Sequence, residues 1–122
     1  MKLYFAHSKH FDYQLELYQP LRESPLNTQH EIVLPHDPQG KDQKARDEIA
    51  ACDLLFAEVS LPGTGLGMTI GWADAARIPV VCLYKSGSQV SNSLAYVTDT
   101  FIEYTDSKDF IEKVTKYLAD KS

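Results

Sequence analysis

Short apolar runs, separated by polar and glycine-containing segments, mark the centre of the chain between Cys52 and Tyr84. The runs Asp53–Glu58 and Val80–Tyr84 predict two β-strands, since buried strands of a parallel sheet read as continuous apolar stretches. Between them, a glycine-rich loop leads into a predicted helix from about Leu66 to Arg77. This order predicts a compact βαβ unit with a ligand site at the carboxyl end of its first strand, where the amino end of the helix points.

The remainder of the chain continues this alternation of strand and helix patterns. Three further runs predict strands, at Lys2–Ala6, Glu31–Pro35 and Thr100–Tyr104. Helical periodicity and turn signals predict the other elements: a helix at Phe11–Glu23 that kinks or ends at Pro20, a polar loop at Ser24–His30, a helix at Asp42–Ala51, a short helix or turn at Ser91–Val97, and a last helix with an N-cap at Asp106. The pattern predicts one three-layer α/β domain over residues 1–122, flavodoxin-like (Rossmann-like), with a five-stranded parallel sheet of order 2-1-3-4-5.

Composition and charge narrow the class of protein. Hydrophobic residues make up 43% and charged residues 24% of the chain, as in ordinary globular proteins. A net charge of −5 argues against a general nucleic-acid binder, which needs a basic face. No apolar run approaches the roughly 20 residues that span a bilayer, and no signal segment is evident at the N-terminus. Together with Cys52 and Cys82, which we interpret as reduced packing residues, this predicts a cytoplasmic protein that binds neither nucleic acid nor membrane.

Polar side chains follow the predicted strands at the points where they end. Hydroxyls, loop amides and a helix N-terminus at one edge of a sheet are the groups that bind a phosphate or a sugar. The alternative is that these serines and histidines only cap turns. The candidates are His7 and Ser8 after the first strand, His36 and Asp37 after the second, Glu58 and the glycine loop after the third, and Ser86, Ser88 and Ser93 after the fourth.

The glycine pattern does not match a dinucleotide fingerprint. Gly65 and Gly67 lack the third glycine, because Ile70 stands at its position and Gly71 comes one residue late. No lysine followed by serine or threonine completes a Walker loop. His7, His36 and Asp37 could be combined into a metal site, but without any recognised ligand spacing. We therefore expect no cofactor and no metal.

The same loop carries a resemblance to a known family. The string Gly65–Gly71 (GLGMTIG) resembles the G-L-G-M-E-L-G signature of the nucleoside 2-deoxyribosyltransferases. Its surroundings resemble more closely the related 2′-deoxynucleoside 5′-phosphate N-hydrolases. Tyr4–Ser8 (YFAHS) is similar to their opening Y-F-x-G-S, and Cys52–Val59 (CDLLFAEV) to their A-D-x-x-x-A-E-V. His36 matches the histidine that ends their second strand, and Ser93 matches a serine about two dozen residues after their signature glutamate.

The resemblance implies a flavodoxin-like homodimer that acts on nucleosides or nucleotides. It implies that Tyr4 and Ser8 hold the nucleotide and that His36 lies in the base pocket. It also implies that Asp53 binds the sugar and protonates the leaving base, and that Ser93 reaches across the dimer to the 5′-phosphate of the nucleotide bound by the neighbouring subunit. Gly65 and Gly67 of the signature loop also belong to the predicted binding site. Two further positions of that site depart from the family pattern. His7 replaces a glycine, and Gly63 replaces a phosphate-binding serine next to Thr64.

Thr69 is the most consequential departure, because the family has its nucleophilic glutamate there. That carboxylate attacks the anomeric carbon as the base leaves and stabilises an oxocarbenium-like centre. Losing a nucleophile commonly costs a factor of roughly thousands in rate. We therefore predict a protein that binds a nucleoside or a nucleoside 5′-monophosphate, with weak or absent N-glycosidic cleavage. Two alternatives remain: an active N-glycosidase or deoxyribosyltransferase that uses Glu58 or water activated by Asp53, and a structural homodimer with a vestigial pocket.

Overall fold

The computed structural model describes residues 1–36 and 45–121, whose five strands form one parallel sheet of order β2-β1-β3-β4-β5. The strands are β1 (Lys2–His7), β2 (Glu31–Val33), β3 (Leu54–Glu58), β4 (Val80–Lys85) and β5 (Phe101–Tyr104). The fold class and strand order predicted from the sequence are confirmed. β1 and β3 are neighbours, in register from Leu3 opposite Leu54 to His7 opposite Glu58. Their carboxyl ends therefore meet at the point where the order of the strands reverses.

Helices cover both faces of this sheet. They are α1 (π-helical over Gln14–Tyr18 and α-helical over Gln19–Arg22), α2 (Leu26–Gln29), α3 (Ala45–Ala50), α4 (Thr64–Ala75), a 3₁₀ turn (Asn92–Tyr96) and α5 (Ser107–Lys121). The prediction of a polar loop over Ser24–His30 is wrong at α2, where the buried Leu26 anchors one short turn of helix. The first residues of the helix predicted at Asp42–Ala51, before Ala45, lie outside the described residues, as does Asp37.

Pro20 changes the winding of α1, as its position in the pattern suggests. The amide of Gln19 donates to the carbonyl of Gln14, five residues earlier, so the segment before the proline is wound as a π-helix. Pro20 then occupies the first turn of the α-helical part. The first amides of an α-helix have no partner within it, so the missing amide hydrogen of proline costs no hydrogen bond there. The π-helical part buries Leu17 and Tyr18 against the sheet.

The strands alternate their side chains between two apolar cores. Leu3 and Phe5 of β1 face the core that α1 and α5 cover, where the rings of Phe5 and Phe56 stack with centroids 4.8 Å apart. Tyr4 and Ala6 face the opposite core, which α3 and α4 cover. This alternation follows from the two-residue period of a strand, and it decides which side chains can reach each side of the sheet.

The C-terminal helix closes the first of these cores. Phe110, Val114 and Leu118 are its buried positions, at the spacing of one helix face. The predicted N-cap is confirmed, since the amide of Asp109 donates to Oδ1 of Asp106 at 2.8 Å. Among the helices of the described ranges, none combines the length and the apolar character that crossing a membrane requires.

Candidate functional site

A cavity of about 670 Å³ opens at the carboxyl end of β1, on the side of the sheet that α3 and α4 cover. Its walls come from the ends of β1 and β2, from the loops after β1 and β3, and from α3 and α4. The structure brings to it most of the residues predicted to bind substrate, together with the predicted nucleophile position: Tyr4, His7, His36, Gly63, Thr64, Gly65 and Thr69.

The amino end of α4 forms one wall of this cavity. Gly63 is the N-cap in an extended conformation and supplies no side chain to cap the first-turn amides. These amides carry the partial positive charge of a helix N-terminus, which suits an anion. A Cβ on Gly63 would lie 3.1 Å from Oγ of Ser8, so the close approach of this loop to β1 favours glycine. Gly65 and Gly67 have no such restriction, because a Cβ on either would meet nothing within 4 Å.

Ser8 contacts protein groups rather than the cavity. Its hydroxyl donates to the carbonyl of Pro62 at 3.1 Å and accepts from the amide of His10 at 3.2 Å. The side chain is almost fully buried and does not line the cavity. The geometry therefore assigns Ser8 the task of holding the loops after β1 and β3 together, while its predicted contact with a nucleotide stays a prediction.

His7 and His36 form the wall at the ends of β1 and β2, with ring centroids 5.1 Å apart. His7 is only 5% exposed, and its ring stacks on Tyr13 at 4.4 Å. Its Nδ1 lies 3.0 Å from the carbonyl of Ser8, and its Nε2 lies 2.8 Å from the hydroxyl of Tyr18. Burial lowers the pKa of His7 below its usual value, and nearby His36 lowers it further, against the contact with Ser8. The neutral imidazole is therefore favoured at pH 7, and its ring packs on Tyr13, on the side of the sheet that α1 covers.

The chemistry of the remaining wall is basic or neutral. Burial raises the pKa of Tyr4 to about 12, so its phenol stays protonated and can donate a hydrogen bond. Lys9 and His10 line the cavity next to the start of α4. Thr69 lines it from the second turn of α4. None of the described residues that line the cavity is an aspartate or a glutamate. The site can bind an anion, but its described walls offer no carboxylate nucleophile.

Asp53 lies at the opposite end of the sheet. Its Oδ2 accepts from the backbone amide of Lys2 at 2.7 Å, where β1 and β3 begin. The strand Leu54–Glu58 separates it from the carboxyl edge by about 16 Å, at 3.3 Å per residue. The structure therefore does not bring Asp53 to the cavity, and the predicted sugar-binding, proton-donating and water-activating roles have no support in the geometry.

Glu58 ends β3 at the correct edge but faces the other core. Its carboxylate accepts from the amide of Ser60 at 2.6 Å and from the hydroxyl of Tyr104. Burial raises its pKa, against these hydrogen bonds and the nearby Lys85. It shares a face with Phe56, whereas Ala57 faces the cavity side. Glu58 thus holds strand ends together, and the proposal that it substitutes for the missing nucleophile has no support in the geometry.

A second cavity of about 880 Å³ lies on the other side of the loop after β3. Ser93 lines it from the 3₁₀ turn, together with Ser88 and Gly67. Gly63 borders both cavities. The structure therefore places Ser93 apart from Thr69 and His36 within one chain.

Several lining residues of the first cavity were not predicted. Lys9 and His10 directly follow Ser8, so their position after β1 was a usable signal. Ala45 and Trp72 come from α3 and α4, and nothing polar in the sequence marks them. Trp72 is the single tryptophan of the chain and sits one turn beyond Thr69 on α4.

Known proteins resemble this chain in sequence and in fold, although no family model matches it. A protein of Methanosarcina barkeri is 35% identical over 69 residues, which cover 54% of this chain and 43% of that protein. One of Syntrophotalea carbinolica is 47% identical over 47 residues, which cover 37% and 33%. Both carry the name 2′-deoxynucleoside 5′-phosphate N-hydrolase 1 as a provisional assignment. The matched segments thus span less than half the length of these curated relatives.

Solved structures extend the likeness over nearly the whole chain. The CMP N-glycosidase of Clostridium botulinum matches with a TM-score of 0.69 and 19% identity, covering 94% of this chain and 99% of that one. A conserved protein of Enterococcus faecalis matches with a TM-score of 0.65 and 19% identity, covering 96% and 98%. At such identity these structures show the fold alone. The sequence relatives confirm the resemblance to the N-hydrolases that was inferred from the motifs.

Proposed function

We propose that the cavity at the end of β1 binds a nucleoside or a nucleoside 5′-monophosphate, and that the protein cleaves the N-glycosidic bond weakly or not at all. The relatives named as 2′-deoxynucleoside 5′-phosphate N-hydrolases support this class of ligand. The observation that carries the proposal is the lining of the cavity. Lys9, His10 and the start of α4 favour an anion, while Thr69 stands where the family has its nucleophile.

Local electrostatics support a phosphate despite the net charge of −5. The ammonium of Lys9 adds a full positive charge to a rim that also includes His10 and the uncapped amides of α4. The half-buried ring of Trp72 offers a flat surface for a base or sugar. A nucleotide combines these features, since one end is anionic and the other is a flat ring.

The same walls account for weak catalysis. Departure of the base leaves positive charge on the sugar, and an enzyme of this type stabilises that charge with a carboxylate. The hydroxyl of Thr69 provides no such charge, and no aspartate or glutamate is among the described residues that line the cavity with it. The two candidate substitutes, Asp53 and Glu58, are held elsewhere by their own hydrogen bonds.

A second copy of the chain completes the site in this proposal. In one chain Ser93 lies in the second cavity, across the loop of Gly63 from Thr69. The resemblance implies that this serine serves the neighbouring subunit, and the observed separation supports such an arrangement. Leu61 and Met68 are 41% and 51% exposed around the same loop, as expected of a surface that a partner covers. A homodimer and a cytoplasmic location are parts of this proposal.

One experiment tests the proposal directly. The protein is titrated with 2′-deoxynucleosides and their 5′-monophosphates, and Trp72 fluorescence, melting temperature and free base are measured in parallel. We expect a change in Trp72 emission and a higher melting temperature with a monophosphate, because a ligand that binds only the folded state stabilises it. Little or no free base should form. Base release at the rate of an ordinary enzyme, about 10 per second, would contradict weak catalysis. If Trp72 emission, melting temperature and free base all stay unchanged, the remaining interpretation is a structural homodimer with a vestigial pocket.

A further inference from the structure

A chain of hydrogen bonds joins the loops around the first cavity, and Tyr18 is its central link. Tyr18 is fully buried in α1 and does not line the cavity. Its hydroxyl lies 2.8 Å from Nε2 of His7 and 2.9 Å from the backbone nitrogen of His36. One phenol oxygen therefore joins the end of β1 to the segment that follows β2.

In this series of hydrogen bonds, every donor faces an acceptor. The carbonyl of Ser8 can only accept, so Nδ1 of His7 carries the hydrogen, and Nε2 is the acceptor. The hydroxyl of Tyr18 donates to that Nε2 and accepts from the amide of His36. Each group thus makes the hydrogen bonds that its chemistry allows, and a buried chain satisfied in this way is rigid.

The series of hydrogen bonds continues through Ser8 to the other side of the cavity. The hydroxyl of Ser8 accepts from the amide of His10 and donates to the carbonyl of Pro62. Pro62 immediately precedes Gly63, the N-cap of α4. The segments that follow β1, β2 and β3 are therefore tied together by side chains that stand behind the cavity wall.

We propose that Tyr18 is a positioning residue of the ligand site, which acts by holding His36 against His7. His7 and His36 belong to the cavity lining, whereas Tyr18 does not; it contacts the ring of His7 and the backbone amide of His36. The segment of His36 follows the three-residue strand β2, so few backbone bonds of the sheet restrain it. The effect on ligand binding rests on the proposed function. The tie, by which we mean the hydrogen bonds of Tyr18 to His7 and to the His36 amide, does not depend on it.

The variant Tyr18→Phe removes the hydroxyl and keeps the ring. Tyr13→Phe is the matched control, because Tyr13 belongs to the same ring cluster and no hydrogen bond of its hydroxyl occurs within the described residues. Hydrogen exchange of the His36 amide is measured by NMR in the free protein. Affinity is measured by Trp72 fluorescence with 2′-deoxycytidine and 2′-deoxyguanosine 5′-monophosphate. We expect Tyr18→Phe to speed His36 exchange about tenfold and to weaken binding about tenfold, the effect of one buried hydrogen bond, with Tyr13→Phe near wild type.

The two readouts separate this inference from the proposed function. Equal His36 exchange in Tyr18→Phe and wild type would overturn the tie, and unchanged affinity in a variant of a binding protein would overturn the positioning role. If wild type binds neither monophosphate, the proposed function fails, while faster His36 exchange still supports the tie. Should Tyr18→Phe not fold, His36 exchange in the wild-type protein is compared with that of an unstructured peptide. Exchange at least about tenfold slower than in the peptide would support the inference, and exchange at the peptide rate would reject it.

Discussion

At the scale of single residues, the proposed weak catalysis depends on Thr69. It lines the cavity from α4, together with Gly65 and Trp72, at the position where the resemblance implies a nucleophilic glutamate. Glu58 is a glutamate at the same edge of the sheet, but its carboxylate is occupied by Ser60 and Tyr104 on the other face. The residue at position 69 should therefore control catalysis independently of the rest of the site.

Replacing Thr69 by glutamate tests that control. We expect Thr69→Glu to release free base from 2′-deoxynucleoside 5′-monophosphates at least about tenfold faster than wild type, because a carboxylate then faces the sugar. Thr69→Gln is the matched control, with the same shape and no charge, and should stay at the wild-type rate. Chromatography of the free base measures both. A folded, ligand-binding Thr69→Glu that is no faster than Thr69→Gln would remove position 69 from the chemistry.

At the scale of elements, the end of α4 contains a conformation that the sequence does not favour. The helix closes with paired hydrogen bonds, from Arg77 to the carbonyl of Asp74 and from Ile78 to that of Ala73. This closure puts Arg77 at a φ of 61°, in the left-handed region where glycine is usual. Its side chain is exposed, so strain there is not offset by burial.

Arg77→Gly should therefore stabilise the protein. We expect the free energy of unfolding to rise by about 0.5–1 kcal/mol, since relief of the left-handed strain exceeds the extra freedom of glycine in the unfolded chain. Denaturant titration measures the difference. Arg77→Ala keeps the Cβ and hence most of the strain, so its stability should stay near that of wild type. A glycine variant no more stable than the alanine variant would show that the strain is negligible.

At the scale of the whole molecule, two cavities meet at one loop. The first contains Thr69 and His36, the second contains Ser93, and Gly63 borders both. In the proposed function, a nucleotide phosphate at the start of α4 would lie close to the loop near which a neighbouring copy would contribute Ser93. The proposed homodimer makes the affinity for phosphate a property of the pair of chains.

Ser93→Ala should separate phosphate binding from nucleoside binding. We expect about tenfold weaker affinity for a 5′-monophosphate and unchanged affinity for the matching nucleoside, because only the phosphate loses a hydrogen bond. Ser88→Ala, in the same cavity, is the control and should leave both affinities unchanged. Analytical ultracentrifugation should give about twice the chain mass of 13.7 kDa. A monomer, or equal losses for nucleoside and monophosphate, would contradict the shared site.

The sequence alone was sufficient for the architecture of this protein. The apolar runs and glycine signals predicted each strand of the sheet to within two residues at either end, and the strand order followed from the alternation of strands and helices. The N-cap at Asp106 was also predictable, because a cap depends on residues close in the chain. Local pattern determines such features because their hydrogen bonds and apolar contacts repeat at short, fixed spacings.

The content of the site depended on tertiary structure. Asp53 and Glu58 stand five residues apart in the sequence, yet the direction of β3 places Asp53 at the end of the sheet away from the first cavity, and the pleat of the strand turns Glu58 to the face that α1 and α5 cover. Nothing in the sequence marked Tyr18 for a role at the site, since the proposed role arises only where α1 brings its hydroxyl between His7 and His36. A motif determines which residues are present, but strand direction, side-chain alternation and long-range packing decide which of them face the same cavity.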